Sequence, residues 1–271
     1  RIDPVICLEN WGKDRIPELN CGELLLDTFS LSGYPGKLQL EAVSAPADTA
    51  FTETKRSQTW ESVTICQVAG EIASRYGLEC VYDADEITIK RMEQNKRPDS
   101  EFLKELCSRY GLILKIYNRR LIVFSYENYE KREPSGIITP QTPGLSWTYK
   151  STVHGTYTGA RISYTPPKKR KTVEITVGSE ERLYYSNEKA ESEADAERLG
   201  LAAMRMANRK GTVMTVRMMP DLKYVSGSVL MVSGFGKPDG KYLVNKATHS
   251  MSSSQYMMNL TLFKIQEGEN A

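Results

Sequence analysis

Histidine is scarce in this sequence: His154 and His249 are the only two among 271 residues. A histidine-rich zinc or iron centre is therefore not expected, and a Ser-His-Asp arrangement would have to draw its base from one of these two. His249 falls at the end of an alternating stretch and reads as a structural residue. The five cysteines, Cys7, Cys21, Cys66, Cys80 and Cys107, are odd in number, widely spaced and free of any CxxC. They set up no disulfide framework. A reducing compartment is expected, with Cys66 and Cys107 as small apolar members of helix faces.

Excess charge of one sign is also missing. Lys and Arg total 36 against 34 Asp and Glu, a formal net charge of +2. A protein built to grip a phosphate backbone would carry a strong basic surplus, so no specific nucleic acid is expected as partner. No apolar run approaches the ~18 residues of a membrane-spanning helix, and no membrane partner is expected. No secretory signal opens the sequence, which starts at Arg1, so the start is expected to be trimmed or missing. There is no GxSxG elbow; the nearest lookalike, Val232-Ser233-Gly234-Phe235-Gly236, sits in a turn. Gly234-x-Gly236 is too short for a dinucleotide loop. The acids stand in no distinctive pair for glycoside hydrolysis, and the run Glu188, Glu191, Glu193, Asp195, Glu197 reads as the N-terminal half of a helix. Pro166-Pro167-Lys168-Lys169-Arg170-Lys171, the one basic cluster, reads as a solvated loop between strands. No catalytic, cofactor-binding or metal-binding residue is assigned, no cofactor is expected, and the chain is not expected to be an enzyme.

What remains is a folded protein, 40% hydrophobic and 26% charged, of a length that suits about two domains. Residues 1–52 read as β hairpins. Strands over Glu23 to Leu31 and Lys37 to Val43 are joined by the turn Ser32-Gly33-Tyr34-Pro35-Gly36. Residues 53–132 change character. Thr64 and Gln67 have capping-box spacing, and Ile65, Val68, Ala69, Ile72, Ala73 and Tyr76 mark one helix face. Gly77 is placed for a left-handed stop. Leu78 to Ile89 reads as two strands around a turn. The pattern then repeats: Asp99 or Ser100 caps a helix bearing Phe102, Leu103, Leu106, Cys107 and Tyr110, Gly111 stops it, and two more strands follow to Ser125. Ser-Arg-Tyr-Gly-Leu occurs at both Ser74–Leu78 and Ser108–Leu112. Two helix-plus-hairpin repeats are expected, making a small α+β domain. Residues 133–144, rich in proline and glycine, read as a linker. Residues 145–271 return to β, interrupted by one long helix opening at Ser186 or Asn187 and running through Asn208. The expected class is α+β, mainly β: two barrel-like antiparallel domains with the α+β domain inserted between them.

The order of these parts carries a resemblance. Asp27-Thr28-Phe29-Ser30, Gly33-Tyr34-Pro35-Gly36-Lys37-Leu38, Lys55-Arg56-Ser57-Gln58-Thr59-Trp60 and Tyr76-Gly77-Leu78 come first. Asp99-Ser100-Glu101-Phe102-Leu103, Arg109-Tyr110-Gly111-Leu112 and the C-terminal Gly211-Thr212, Ser233-Gly234-Phe235-Gly236, Gly240-Lys241-Tyr242 and Thr248-His249-Ser250 follow. From about Asp27 onward this resembles the late control D family of phage tail proteins, the baseplate hubs of contractile tails and of prophage particles. Residues 1–20 match that family poorly. The resemblance implies a structural homotrimer that joins a six-fold tail tube to a three-fold spike. Its expected partners are itself, spike and tube proteins and neighbouring baseplate proteins; its expected place is the virion tail baseplate, with the host cytoplasm during assembly. A second reading is a peptidoglycan-binding, wall-associated protein, because the small helix-and-strand domain is similar in size to LysM-type modules.

Overall fold

A computed structural model describes residues 1–9, 17–44, 50–165 and 172–266. The basic cluster at 166–171 lies outside the described residues. The fold is mainly β, 49% strand and 20% helix, and it divides into two compact units, Arg1–Ser108 with Leu112–Ser125, and Arg109–Gly111 with Tyr126–Ala271.

The first unit begins with short paired strands β1 (Val5–Cys7) and β2 (Glu18–Asn20), then the ribbon of β3 (Leu25–Ser32) and β4 (Lys37–Val43). After α1 (Ala50–Glu53) come β5 (Lys55–Thr64), α2 (Ile65–Arg75), β6 (Glu79–Asp83), β7 (Thr88–Pro98), α3 (Asp99–Arg109), β8 (Leu112–Tyr117) and β9 (Arg120–Ser125). The capping box forms as its spacing predicts: Thr64 Oγ1 accepts from the Gln67 N–H, and Gln67 Oε1 accepts from the Thr64 N–H. Gly77 and Gly111 both take positive φ, 63° and 70°, a conformation that Cβ penalises and glycine does not. Ile65, Val68, Ala69, Ile72 and Ala73 are buried on α2, and Phe102, Leu103, Leu106 and Cys107 on α3.

The repeat is real, but its unit is not a helix and a hairpin. The strands after α2 separate: β6 joins β9 in parallel, while β7 pairs antiparallel with β5. Each repeat is a strand, a helix and a strand, β5-α2-β6 and then β7-α3-β8. The turn chemistry at Asp83–Asp85 falls at the break between β6 and β7, but β7 pairs with β5, which precedes α2, and not with β6.

The second unit carries α4 (Tyr126–Glu130), β10 (Gly136–Ile138), β11 (Ser146–Ser151), β12 (Gly159–Tyr164), β13 (Val173–Gly178), β14 (Leu183–Ala190) and α5 (Glu193–Asn208). A 3₁₀ turn at Arg209–Gly211 leads to β15 (Thr212–Met218), β16 (Val229–Val232), β17 (Gly240–Met251) and β18 (Tyr256–Lys264). Six strands form one sheet in the order β10-β16-β17-β18-β15-β11. Its buried face unites Ile138, Met214, Val216, Leu230, Tyr242, Val244, Leu260 and Leu262. Three strands form another, β13-β12-β14, across which α5 lays Ala196, Leu199 and Gly200.

Three expectations are corrected here. The stretch 133–144 is not bare linker: β10 runs parallel to β16, and Ile138 is completely buried in the sheet's core. A single apolar residue aimed inward outweighs the flanking prolines. The long helix opens at Ser192, whose Oγ accepts from the Asp195 N–H at 3.2 Å, not at Ser186. Residues 183–190 are drawn into β14 because Tyr184 and Ser186 fit the pleat beside Ala160 and Ile162. Glu188 and Glu191 therefore precede the helix, and only Glu193, Asp195 and Glu197 belong to it. Finally, the sheets are not purely antiparallel, since β6–β9, β10–β16 and β12–β14 are parallel pairs. In the last of these, the chain reverses twice, through β13, and so returns beside β12 in its original direction.

Candidate interaction surface

Among the described residues, no group of three or more His, Cys, Asp or Glu side chains is arranged to hold a metal ion. His154 sits in a turn, its N–H donating to Thr152 Oγ1. His249 shares a 2.8 Å hydrogen bond with the Tyr256 hydroxyl through Nδ1, and burial lowers its pKa. All five cysteines are free, and burial pushes the Cys107 thiol up to about 12, which keeps it protonated and unreactive. The loop that mimics a nucleophile elbow is held shut by Asp239, whose carboxylate accepts from the N–H groups of Gly234 and Phe235 at 3.1 and 2.7 Å.

Asp99 is the most constrained charge in the first unit. Its side chain is wholly buried, accepting from Arg75 at 2.8 Å, Tyr76 Oη at 2.7 Å and Gln94 Nε2 at 2.7 Å. Burial alone would raise its pKa; the three donors hold it below the usual carboxylate range. This is fold-holding chemistry at a junction between repeats.

The feature that stands out from the surface is the β3–β4 ribbon. Seven of the seventeen exposed large apolar side chains among the described residues lie on it: Leu26, Phe29, Leu31, Tyr34, Leu38, Leu40 and Val43. Phe29 is 64% exposed and Leu31 74%. Their placement is ordered. The register pairs Phe29 with Leu40 and Leu31 with Leu38, while Thr28 faces Glu41, Ser30 faces Gln39 and Ser32 faces Lys37. Cross-strand partners share a face, so between Thr28 and Ser32 one face is apolar and the other polar, and only the Leu25–Val43 pair at the ribbon's base adds apolar side chains to the polar row. Leu26 stands three residues from Phe29, which in a regular strand would put it on the opposite face. A register shift between Leu26 and Thr28 inserts Asp27 as an extra residue, and that bulge returns Leu26, paired with Ala42, to the apolar side.

Such a ribbon is physically incomplete. Two strands alone are marginal in water, their outer edges carry unpaired backbone groups, and contiguous exposed apolar surface marks an interaction site. The second unit shows the satisfied counterpart. There α5 covers the apolar face of β12, with Gly200 letting the helix approach until a Cβ would stand 3.5 Å from Ala160 Cβ. The resemblance and the alternation both drew attention to this hairpin; what the sequence alone did not reveal is that the described residues leave its apolar face open.

No protein-family model matches the chain, and no curated protein matches it either. Solved structures do. The 43 kDa tail protein of prophage MuSo2 from Shewanella oneidensis superposes with a TM-score of 0.71 at 10% identity, over 97% of this chain and 88% of that one. The tail protein from Neisseria meningitidis MC58 gives 0.71 at 10% identity, over 97% and 87%. An Escherichia coli component of the type VI secretion system, c3393, described as structurally similar to the T4 tail proteins gp27 and gp5, gives 0.58 at 13% identity, over 93% and 62%. The chain thus shares the fold of prophage tail proteins.

Proposed function

We propose that the protein is a structural subunit of a phage or prophage tail, specifically a baseplate hub of the late control D type. Three copies close into a ring that joins a six-fold tail tube to a three-fold spike. It acts through contacts and not turnover, in the virion tail baseplate after assembly in the host cytoplasm. The observation that carries this reading is the open amphipathic ribbon, set in a fold shared end to end with tail proteins. A ring requires heterologous contacts that close, and a ribbon with two unlike open edges is suited to them. Near-zero net charge limits repulsion between copies packed together. The test is the mass of the purified protein by light scattering after gel filtration, with negative-stain images of the peak. A trimer with a central opening is expected. A monomer that binds purified cell wall would overturn the hub reading in favour of the peptidoglycan-binding one.

A further inference from the structure

We infer that α5 grips the β8–β9 hairpin by both of its ends, so that β9 keeps its place in the first unit only while α5 is folded, and the two units unfold as one.

Arg109–Gly111 and Tyr126–Glu130 belong to the second unit, while β8 and β9, which lie between them in sequence, belong to the first. Both flanking segments meet α5. Ahead of the hairpin, Arg109 pairs with Glu188 at 3.1 Å, just before the helix, and the buried Tyr110 hydrogen-bonds the Asp195 carboxylate in its first turn. Gly111 lies against Ala202, where a Cβ would stand 3.0 Å from the Ala202 Cβ. After the hairpin, Glu127 pairs with Arg205, Glu130 pairs with Arg209 at 3.4 Å, and the Arg209 guanidinium lies over Tyr126, 3.4 Å from the ring centre. Asp195 and Ala202 stand two helical turns apart on one stripe of α5, and Arg209 follows two turns on. Ala196, Leu199 and Gly200 meanwhile pack on the β13-β12-β14 sheet. The grip reuses the Ser-Arg-Tyr-Gly-Leu string. In its first copy Arg75 and Tyr76 hold Asp99 at the head of α3; in its second Arg109 and Tyr110 hold acids at the head of α5. Close approach is peculiar to the second copy, since a Cβ at the matching Gly77 would meet nothing within 4 Å. What the grip holds matters to the first unit: β9 is the middle strand of β6-β9-β8, and its Leu121 and Val123 are wholly buried. Releasing both ends returns conformational entropy to the hairpin and so weakens that sheet at its centre.

The test compares the wild-type chain with Arg109→Glu/Glu127→Arg, which sets like charges against Glu188 and Arg205 at the two ends of the hairpin, and with the full swap that adds Glu188→Arg/Arg205→Glu. Scanning calorimetry should show one transition for the wild type. In the double variant it should split, with the first unit melting at the lower temperature. Hydrogen exchange in β9 should then run about tenfold faster, as two reversed ion pairs would allow, while exchange in β15 and β18 stays unchanged. The full swap should restore the single transition and the slow exchange. Two wild-type transitions overturn the coupling outright. A double variant that keeps one transition and unaltered β9 exchange overturns the role of the two ends. Should the double variant fail to fold, recovery of the wild-type behaviour in the full swap supports the grip, and no recovery overturns it.

Discussion

Arg75, the last residue of α2, donates to the buried carboxylate of Asp99, the first residue of α3, at 2.8 Å. The contact joins the two repeats where their likeness breaks. Counting between the matched strings Ser74–Leu78 and Ser108–Leu112, Arg109 corresponds to Arg75 and Asp99 to Ile65. One repeat contributes an apolar residue at the head of its helix and the other an acid. Arg109 therefore has no equivalent acid to meet, and it pairs instead with Glu188 at 3.1 Å.

Removing Asp99 should leave the Arg75 guanidinium without its buried counter-charge. Asp99→Ala is expected to destabilise the first unit by on the order of 3 kcal/mol, read as a lower urea midpoint. The pH dependence follows from the lowered pKa of Asp99. Its contribution is present in full above the ordinary carboxylate pKa, and is lost as pH falls through the lower folded value. Asp99→Asn should flatten that acid limb of the stability curve; an unchanged limb would show that other carboxylates govern it.

The capping box is expected to hold α2 independently of the ribbon. Thr64→Ala removes the acceptor for the Gln67 N–H and should cost about 1 kcal/mol. Hydrogen exchange in the first turn of α2 is the direct readout. Oligomeric mass should not change.

Two glycines should respond oppositely to alanine. Gly200 lies inside α5, and a Cβ there would meet Ala160, Val177 and Ile162 at 3.5–3.8 Å, ordinary contact. Gly200→Ala should therefore stabilise by about 0.5–1 kcal/mol, the helix-propensity difference. At Gly159 a Cβ would stand 2.2 Å from the Ser179 carbonyl oxygen and 2.8 Å from that of Val177. Gly159→Ala should lower the thermal midpoint sharply, because the obstacles are backbone atoms of β13 and of the residue that follows it.

His249 supplies a second pH marker. Burial lowers its pKa, so the folded state prefers the neutral ring that meets Tyr256. Its contribution is complete above the unfolded pKa near 6.5 and fades as pH drops toward the lower folded value. The ring protons followed by NMR should titrate below the value of a free histidine. Tyr256→Phe should move the titration, whereas an unaltered midpoint would make the hydrogen bond irrelevant to it.

The helix faces, the stops at Gly77 and Gly111 and most strand positions of the second unit were legible because they depend on neighbours along the chain. Periodicity places Phe102, Leu103, Leu106 and Cys107 on one side of a helix whatever that side meets. Strand partners were not legible in the same way. The segments after α2 have hairpin spacing, yet β7 goes to β5 and β6 to β9, since hydrogen-bond competition between strands is settled across the whole unit. Ile138 shows the same limit. Surrounded by prolines and glycines it reads as linker, and its burial follows from β16, which lies some ninety residues further on.

The sequence by itself determined the mainly β class, the repeated helices with their caps, and a hairpin with one apolar and one polar row. Those features follow from local backbone preferences and from the fixed periods of helix and strand. Only the tertiary structure decided that Asp27 bulges to keep Leu26 in the apolar row, that Asp99 is buried among its donors, and that α5 covers β12 in one unit while the described residues leave the β3–β4 ribbon open in the other. Each depends on which distant segment reaches a given surface first, and alternation along a strand carries no record of what will cover it.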